Sequence, residues 1–439
     1  MAVCIRNAEN MGSWLENKRK ERPDMTKEEI KALVREKMAT KRIILFGAGV
    51  VAEEFYEAHK DKLNISHCVS NIQKEWGEGA FMEGELDVRQ YRSEDIEEND
   101  YIVVCGPIAF RSIELQLKGD GYEMYEDFVE SKIAGAIYSG KKIALFYGQC
   151  ILRDIYECVI QVKAFNLVYA PIFTQTVKNQ TIVINRMVYY LKEICDLYVY
   201  TPKMLDRDSA YVVREEELPE GCIIISIGNI LAPIYWPQIN VDPMAYNGWY
   251  VYPYNILRNM NFFHTLYRKE DININRMIAA GYSTKHILQK VTSEDYYSKE
   301  QVQNNVRFTL KSIKIAERGI DIKIIDFIKE RYMKEMLYQN YAHPQKNIFW
   351  HYVLEIMKSI GLTFEEVEIL EQNSVNHIHE GGDVPIYPSV AKHMELEFYD
   401  ENNKYEIMTG NGIRYMTFTE YMEHYVEYTR KSKEIFEMW

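Results

Sequence analysis

The run Lys141-Lys142-Ile143-Ala144-Leu145-Phe146-Tyr147-Gly148-Gln149-Cys150-Ile151-Leu152-Arg153-Asp154-Ile155 leaves little freedom in how the chain folds around it. Two lysines lead into an apolar stretch from Ile143 to Phe146. A glycine, a polar pair and a helix-like spacing follow. That order reads as a strand, a tight turn and the start of a helix. Gly148 is expected to supply a sharp backbone angle at the turn. Gln149 and Cys150 then fall at a helix N-terminus beyond the carboxyl end of a strand, where open α/β sheets place ligands. The positive end of the helix dipole favours a thiolate there. Free cysteine is also among the most buried residue types, so a thiol packed beneath the helix is the competing reading.

The same order occurs earlier in the chain. Ile43-Ile44-Leu45-Phe46 reads as a strand, and Gly47-Ala48-Gly49-Val50-Val51-Ala52 opens a helix. This Gly-x-Gly-x-x-Ala turn has the form of a phosphate-binding loop. A second strand, Ile65 to Val69, ends in Ser70-Asn71, without the acidic residue that would hold a nicotinamide ribose. A third strand, Tyr101 to Cys105, leads through Gly106-Pro107 into another helix, and residues 121–128 close the unit. Residues from about 41 to 130 resemble the Rossmann-like accessory modules of bacterial surface-sugar enzymes. The resemblance implies a structural role or the binding of a nucleotide-bearing ligand.

The remaining elements follow from pattern. Residues 11–40 read as a peripheral helical lead-in with a solvated charged face, and Thr26-Lys27-Glu28-Glu29 has the capping-box form. After Lys141 a second α/β unit begins. Asn166 to Ala170 reads as a strand, Met187 to Ile194 as a helix and Asp196 to Tyr200 as a strand. Gly221 to Ile227 is the clearest buried strand, being continuous and β-branched. It ends in Gly228-Asn229-Ile230. The proline-broken loop Pro233-Ile234-Tyr235-Trp236-Pro237-Gln238 reads as a pocket wall. Helices are expected from Phe262 to Arg318, from Asp321 to Tyr338 and from Ile348 to Ile360. The expected fold is α/β, with two Rossmann-like or flavodoxin-like parallel-sheet domains. The boundaries are a lead-in at 1–40, a small domain at 41–135, and a larger domain at 140–439 with a helical C-terminal part.

Composition narrows the function classes. A net charge of −13 argues against a general nucleic-acid binder. No apolar run is long enough to span a membrane, and the N-terminus has no secretory signal pattern, so the expected location is cytoplasmic. Seven cysteines without regular spacing point to free thiols in a reducing compartment. No Cys-x-x-Cys pair exists, and His377, His379 and Glu380 read as a solvated loop, so no metal is expected. The 34 tyrosines suit both sugar-facing clefts and cores, and the core reading is the safer for most of them. Oligomeric state is not legible.

Three polar features fall at turns: Gly148-Gln149-Cys150, Gly228-Asn229 and Asn340-x-x-His343. Pro344 holds His343 on a bend. Taken alone, His343 reads more readily as a helix-terminating residue that caps carbonyls. Together the three features resemble a thiol version of the SGNH-type hydrolases and acyltransferases, which makes the larger domain SGNH-like. That resemblance implies Cys150 as nucleophile, Asn229 and the Gln149-Cys150 turn as oxyanion donors, His343 as base and Asn340 as its orienting group.

A narrower resemblance spans about residues 141–400. The chain is similar there to the WcbI-type polysaccharide biosynthesis family, capsule acetyltransferases that bind coenzyme A. The family's Gly-Asn-Cys-Gln corner stands as Gly148-Gln149-Cys150-Ile151, and its late Asn-His-Pro corner as Ala342-His343-Pro344. The Trp236-Pro237 loop and the Pro385-Ile386-Tyr387-Pro388-Ser389 segment also correspond. The resemblance implies acetyl transfer from acetyl-CoA to a sugar of a surface polysaccharide precursor. Phosphates of coenzyme A would then meet the Gly148 turn, Arg153 and Lys346. Two other functions remain open: a carbohydrate esterase with the same Cys/His site, and a non-enzymatic sugar-nucleotide-binding assembly factor.

Overall fold

The computed structural model describes residues 25–71, 86–106, 110–148, 150–175, 186–202, 213–228, 232–238, 272–341, 343–362, 383–409 and 412–437. Helix α1 (Lys27–Thr40) begins where its capping box places it. The Thr26 hydroxyl accepts the Glu29 N–H at 3.3 Å, and the Glu29 carboxylate accepts the Thr26 N–H at 2.7 Å. Such caps contribute about 1 kcal/mol.

The apolar runs that follow become a parallel sheet. Its elements are β1 (Arg42–Phe46), α2 (Val50–His59), β2 (Ile65–Ser70), β3 (Val88–Gln90), β4 (Asp100–Val104), α3 (Phe110–Gly119), β5 (Phe128–Glu130) and α4 (Ser131–Tyr138). The strand order β3-β2-β1-β4-β5, with every pairing parallel, is the Rossmann order. Gly47 sits at φ +120°, and a Cβ on it would lie 2.8 Å from the Cys105 carbonyl oxygen. The turn after β1 therefore lacks a side chain because β4 approaches it closely, whether or not a phosphate ever binds. Gly49 has no atom within 4 Å of its virtual Cβ. At the end of β2, Asn71 donates to Gln116 at 2.6 Å.

The second sheet is built from β6 (Lys142–Gly148), α5 (Cys150–Val159), α6 (Lys163–Val168), β7 (Tyr169–Gln175), α7 (Arg186–Ile194), β8 (Leu197–Tyr200) and β9 (Ile223–Ser226). Its strands are parallel in the order β7-β6-β8-β9. This is the 2-1-3-4 arrangement of flavodoxin-like sheets, so both expected sheet types are present.

Several local expectations are corrected. Residues 166–168 complete a helix, and the strand starts at Tyr169. Short apolar runs do not distinguish the two states. Strand β9 lies at the end of the sheet order and starts exposed at Ile223, 37%, but Ile225, Ser226 and Ile227 are buried, so the expected burial holds for its second half. Helix α1 is not peripheral. Ile30, Val34 and Met38 are buried, the helix packs on α4 and α7, and Lys27 and Lys31 reach Asp196 at 2.9 and 2.7 Å.

The chain forms two compact units. The first comprises residues 1–147, 166–199 and 209–224, and the second residues 148–165, 200–208 and 225–439. In the second unit follow α8 (Ile272–Ala279), α9 (Thr284–Val291), α10 (Lys299–Ala316), α11 (Ile325–Arg331), β10 (Tyr338–Asn340), β11 (His343–Pro344), α12 (Lys346–Ser359), α13 (Pro388–Met394), the antiparallel pair β12 (Tyr405–Thr409) and β13 (Gly412–Met416), and α14 (Phe418–Glu437). The long helix expected from Asp321 to Tyr338 is confined to α11. Asp321 instead accepts the Ser226 N–H at 2.7 Å and the Ser226 hydroxyl at 2.6 Å, and Ile322 bridges to Ile227. These bonds hold the backbone before α11 extended. The loop from Pro233 is core rather than pocket wall, since Ile234, Tyr235 and Trp236 are fully buried. Tyr101, Tyr147, Tyr198, Tyr338, Tyr352 and Tyr387 are buried too, as the core reading of the tyrosines expects.

Gly47→Ala should lower stability by about 1–3 kcal/mol in a denaturant titration, because it combines a left-handed φ with a backbone clash. Gly49→Ala, with open space at its Cβ, should change it by less than about 0.5 kcal/mol.

Candidate active site

The residues that sequence reasoning singles out fall in the second unit, at two corners of the fold. The first is the end of β6. Gly148 closes the strand, and α5 begins two residues later at Cys150. Gly148 does not take a positive φ, contrary to the expectation of a sharp backbone angle. Its lack of a side chain provides space instead. A Cβ there would lie 2.8 Å from Leu152 Cδ2 and 2.9 Å from Thr201 Oγ1. This closeness lets the first turn of α5 start directly above the strand end. The leading N–H groups of any helix have no partner within it.

Thr201 directly follows β8. Its hydroxyl is buried and makes no hydrogen bond to a described residue. Strands β6 and β8 flank the point where a 2-1-3-4 sheet reverses its winding, which is where such sheets bind ligands.

The second corner is the β10–β11 hairpin, which sets Asn340 opposite His343. Asn340 is fully buried and His343 half-buried. The Asn340 Oδ1 lies 2.9 Å from His343 Nδ1. A carboxamide oxygen only accepts, so Nδ1 carries hydrogen and the lone pair of the neutral ring resides on Nε2. Neighbouring segments fix this corner. Ala232 donates its N–H to the Tyr341 carbonyl at 2.8 Å, Val384 to that of Gln339 at 3.0 Å, and Gln345 to that of Leu337 at 2.8 Å. The Trp236 indole donates to the Val384 carbonyl at 3.1 Å. The Trp236 loop, the histidine corner and the chain entering Pro385 thus form one hydrogen-bonded cluster.

Helix α12 links the two corners. It starts at Lys346, packs on α5, and its buried Tyr352 donates to the Gly228 carbonyl at 3.0 Å. The structure therefore joins Asn340 to His343, and it packs the helix after His343 on the helix that Cys150 opens. Gln149 and Asn229 lie outside the described residues, as do His264, His377 and His379. Arg153 is half exposed and lies 3.7 Å from Asp154 and 3.9 Å from Glu157. Lys346 is exposed at the start of α12. A groove on β13 and α14, lined by Arg414, Glu420, Glu423 and His424, includes none of these residues. Among the described residues no cluster of three His, Cys, Asp or Glu is placed to hold a metal ion.

Sequence reasoning missed Asp154, Thr201 and Tyr352. Asp154 is 1% exposed, four residues past Cys150 on α5. Burial pushes its carboxyl up to about 7, opposed by the Arg153 guanidinium and reinforced by Glu157. A signal was present: Asp154 interrupts the apolar stripe of Ile151, Ile155 and Cys158. Thr201 and Tyr352 had no comparable signal, because Gly148, against which Thr201 packs, and Gly228, to which Tyr352 donates, are remote from them in sequence.

The fold places the chain among α/β proteins with parallel sheets, and the switch point of the second sheet lies between β6 and β8. Residues 195–365, which include Asn340 and His343 but not Cys150, match the family model of the polysaccharide biosynthesis enzyme WcbI. A solved structure of WcbI, a novel polysaccharide biosynthesis enzyme in its native form without a disulfide bond between coenzyme A and one of its cysteines, is similar at 16% identity and a TM-score of 0.49. That likeness covers 66% of this chain and 90% of that one. No curated protein sequence matches the chain. No helix among the described residues is long and apolar enough to cross a membrane.

Ring-nitrogen NMR should find His343 protonated on Nδ1 when neutral, and Asn340→Ala should abolish that preference. Asp154 gives a second expectation. Its proton is bound more tightly in the folded chain than in the unfolded one, where the pKa is about 4. Its contribution to stability is therefore most favourable below about pH 4 and is lost as pH rises to about 7. Asp154→Asn should be the more stable form at pH 8, by up to about 4 kcal/mol, with the gap closing toward pH 4 in paired thermal melts.

Proposed function

We propose that this chain is an acyltransferase that moves an acetyl group from acetyl-CoA to a sugar hydroxyl of a surface polysaccharide precursor. The observation that carries this reading is the Asn340–His343 pair, 2.9 Å apart on a tight hairpin. It is followed by a helix packed on the one that Cys150 opens. The family match over residues 195–365 supports the polysaccharide setting. The coenzyme A named with the WcbI structure agrees with the donor that the sequence resemblance implies.

The chemistry follows from the groups available. A cysteine at the first position of a helix is favoured as thiolate by the helix dipole. Its sulfur attacks the thioester carbonyl, the carbonyl electrons move onto oxygen, and the N–H groups leading α5 stabilise that oxyanion. One such donor is often worth ~3 kcal/mol of barrier. Collapse expels the coenzyme A thiolate and leaves an acetyl-cysteine. His343 Nε2 then takes the proton of the sugar hydroxyl as its oxygen attacks, and the Cys150 thiolate departs. A shorter route keeps His343 as base for direct attack of the sugar on acetyl-CoA, with Cys150 shaping the site. Asn340 holds the ring and stabilises the imidazolium through the same Nδ1–H bond. Arg153 and Lys346 are the cations proposed for the coenzyme A phosphates.

Intact-mass spectrometry of the chain after exposure to acetyl-CoA should show a single acetyl adduct that is absent in Cys150→Ser. His343→Ala should slow coenzyme A release in the presence of acceptor sugar by about 100-fold or more. Free acetate released in step with coenzyme A would make the chain an esterase instead. Full activity in Cys150→Ala together with His343→Ala would refute both catalytic readings.

A further inference from the structure

A second thiol centre lies in the first unit. Cys195 precedes β8 and Cys222 precedes β9, and these strands are neighbours. Their Sγ atoms are 3.7 Å apart. A disulfide has about 2.05 Å between sulfurs, so the two thiols are in contact but unbonded. Cys195 is fully buried, whereas Cys222 is partly exposed.

The surroundings divide the roles of the two thiols. Lys27 and Lys31 of α1 both ion-pair with Asp196, the residue after Cys195. Asp196 also accepts the Ile143 N–H at 2.8 Å. Glu28 lies 3.9 Å from Lys31 on the exposed side, so the two ammonium groups stand between Asp196 and Glu28 and still act on Cys222. The Cys195 thiol, foremost, and these lysines hold the Cys222 thiol below its ordinary range, against burial and Asp196. The same hydrogen bond, with burial, pushes Cys195 up. Burial pushes Cys68 and Cys158 up to about 12, which leaves them inert. A partly exposed thiol that gives up its proton more readily than usual, beside a buried partner thiol, is the arrangement of redox-responsive cysteines.

We propose that Cys195 and Cys222 form a peroxide-responsive thiol pair, with Cys222 as the attacking and Cys195 as the resolving residue. The Cys222 thiolate attacks one oxygen of a hydroperoxide; an S–O bond forms, the O–O bond breaks, and hydroxide or alkoxide leaves. The Cys195 sulfur then attacks the sulfenic sulfur. The S–O bond breaks, and the Cys195 proton departs with the hydroxyl as water. With hydrogen peroxide, two thiols give one disulfide and two waters. The bond staples the amino ends of β8 and β9. None of these residues belongs to the acyl-transfer site, so this centre does not depend on that reading.

The test uses the full-length chain treated with hydrogen peroxide, alkylated with N-ethylmaleimide, digested with trypsin without reduction and mapped by mass spectrometry. Cleavage after Lys192 and Arg214 places the two cysteines in separate peptides. The expected product is a Cys195–Cys222 cross-link that dithiothreitol reverses and Cys222→Ser eliminates. In a thermal melt the oxidised wild type should unfold at a higher temperature than the reduced form, and Cys158→Ser should cross-link as wild type does. Cys222 recovered as sulfinic acid with Cys195 alkylated would overturn the proposal. Cross-links formed only through Cys4 or Cys150 would overturn it too.

Discussion

Each sheet turns its first strand into a helix through a glycine with no room for a methyl group, and most of the molecule depends on that constraint. At Gly47 the obstruction is the Cys105 carbonyl, at 2.8 Å. At Gly148 it is Leu152 from above and Thr201 from the side. The two glycines solve different problems. Gly47 adopts a backbone angle that side chains resist, whereas Gly148 keeps ordinary backbone geometry and gives up only volume. The second solution lets a helix begin almost at the strand's last peptide, with its N-terminal dipole above the sheet edge.

The histidine corner complements this edge. Its geometry comes from a two-strand hairpin too short to be stable by itself. Stability is borrowed from the segments around it, through backbone bonds to residues 232, 384 and 345 and through the Trp236 indole. Asn340 is buried, and a buried carboxamide left unpaired would cost about 1–3 kcal/mol. Its bond to His343 therefore settles the tautomer of the ring while satisfying the amide. Orientation of the imidazole is a by-product of burying Asn340.

Much of this was legible in the chain. Strands β1, β4, β6 and β8 are apolar runs bounded by glycine, proline or charge, and they lie where the pattern places them. The Asn340–His343 pair was legible because three residues is the reach of a tight turn, and Pro344 excludes a helix there. Other features were hidden by the nature of the signal. The branched run of β9 is buried only in its second half, because no local pattern reveals that a strand begins at an exposed sheet edge. The charges of α1 resembled a solvated face because their partner, Asp196, is far along the chain. The stretch from Asp321 looked helical until the Ser226 bonds held it extended. Asp154 alone among the missed site residues left a trace, as a carboxylate where an aliphatic side chain would fit.

Asp196 draws a limit on modularity. One carboxylate secures α1 through two lysines and β6 through a backbone amide. The family-matched segment starts at residue 195, next to it, and runs through parts of both compact units. The family-matched stretch is thus not an excisable piece. Cutting the chain at Cys195 would leave an anion stripped of its cations, with half of a sheet on the wrong side of the cut. The N-terminal helix is thus part of the frame that holds the second sheet.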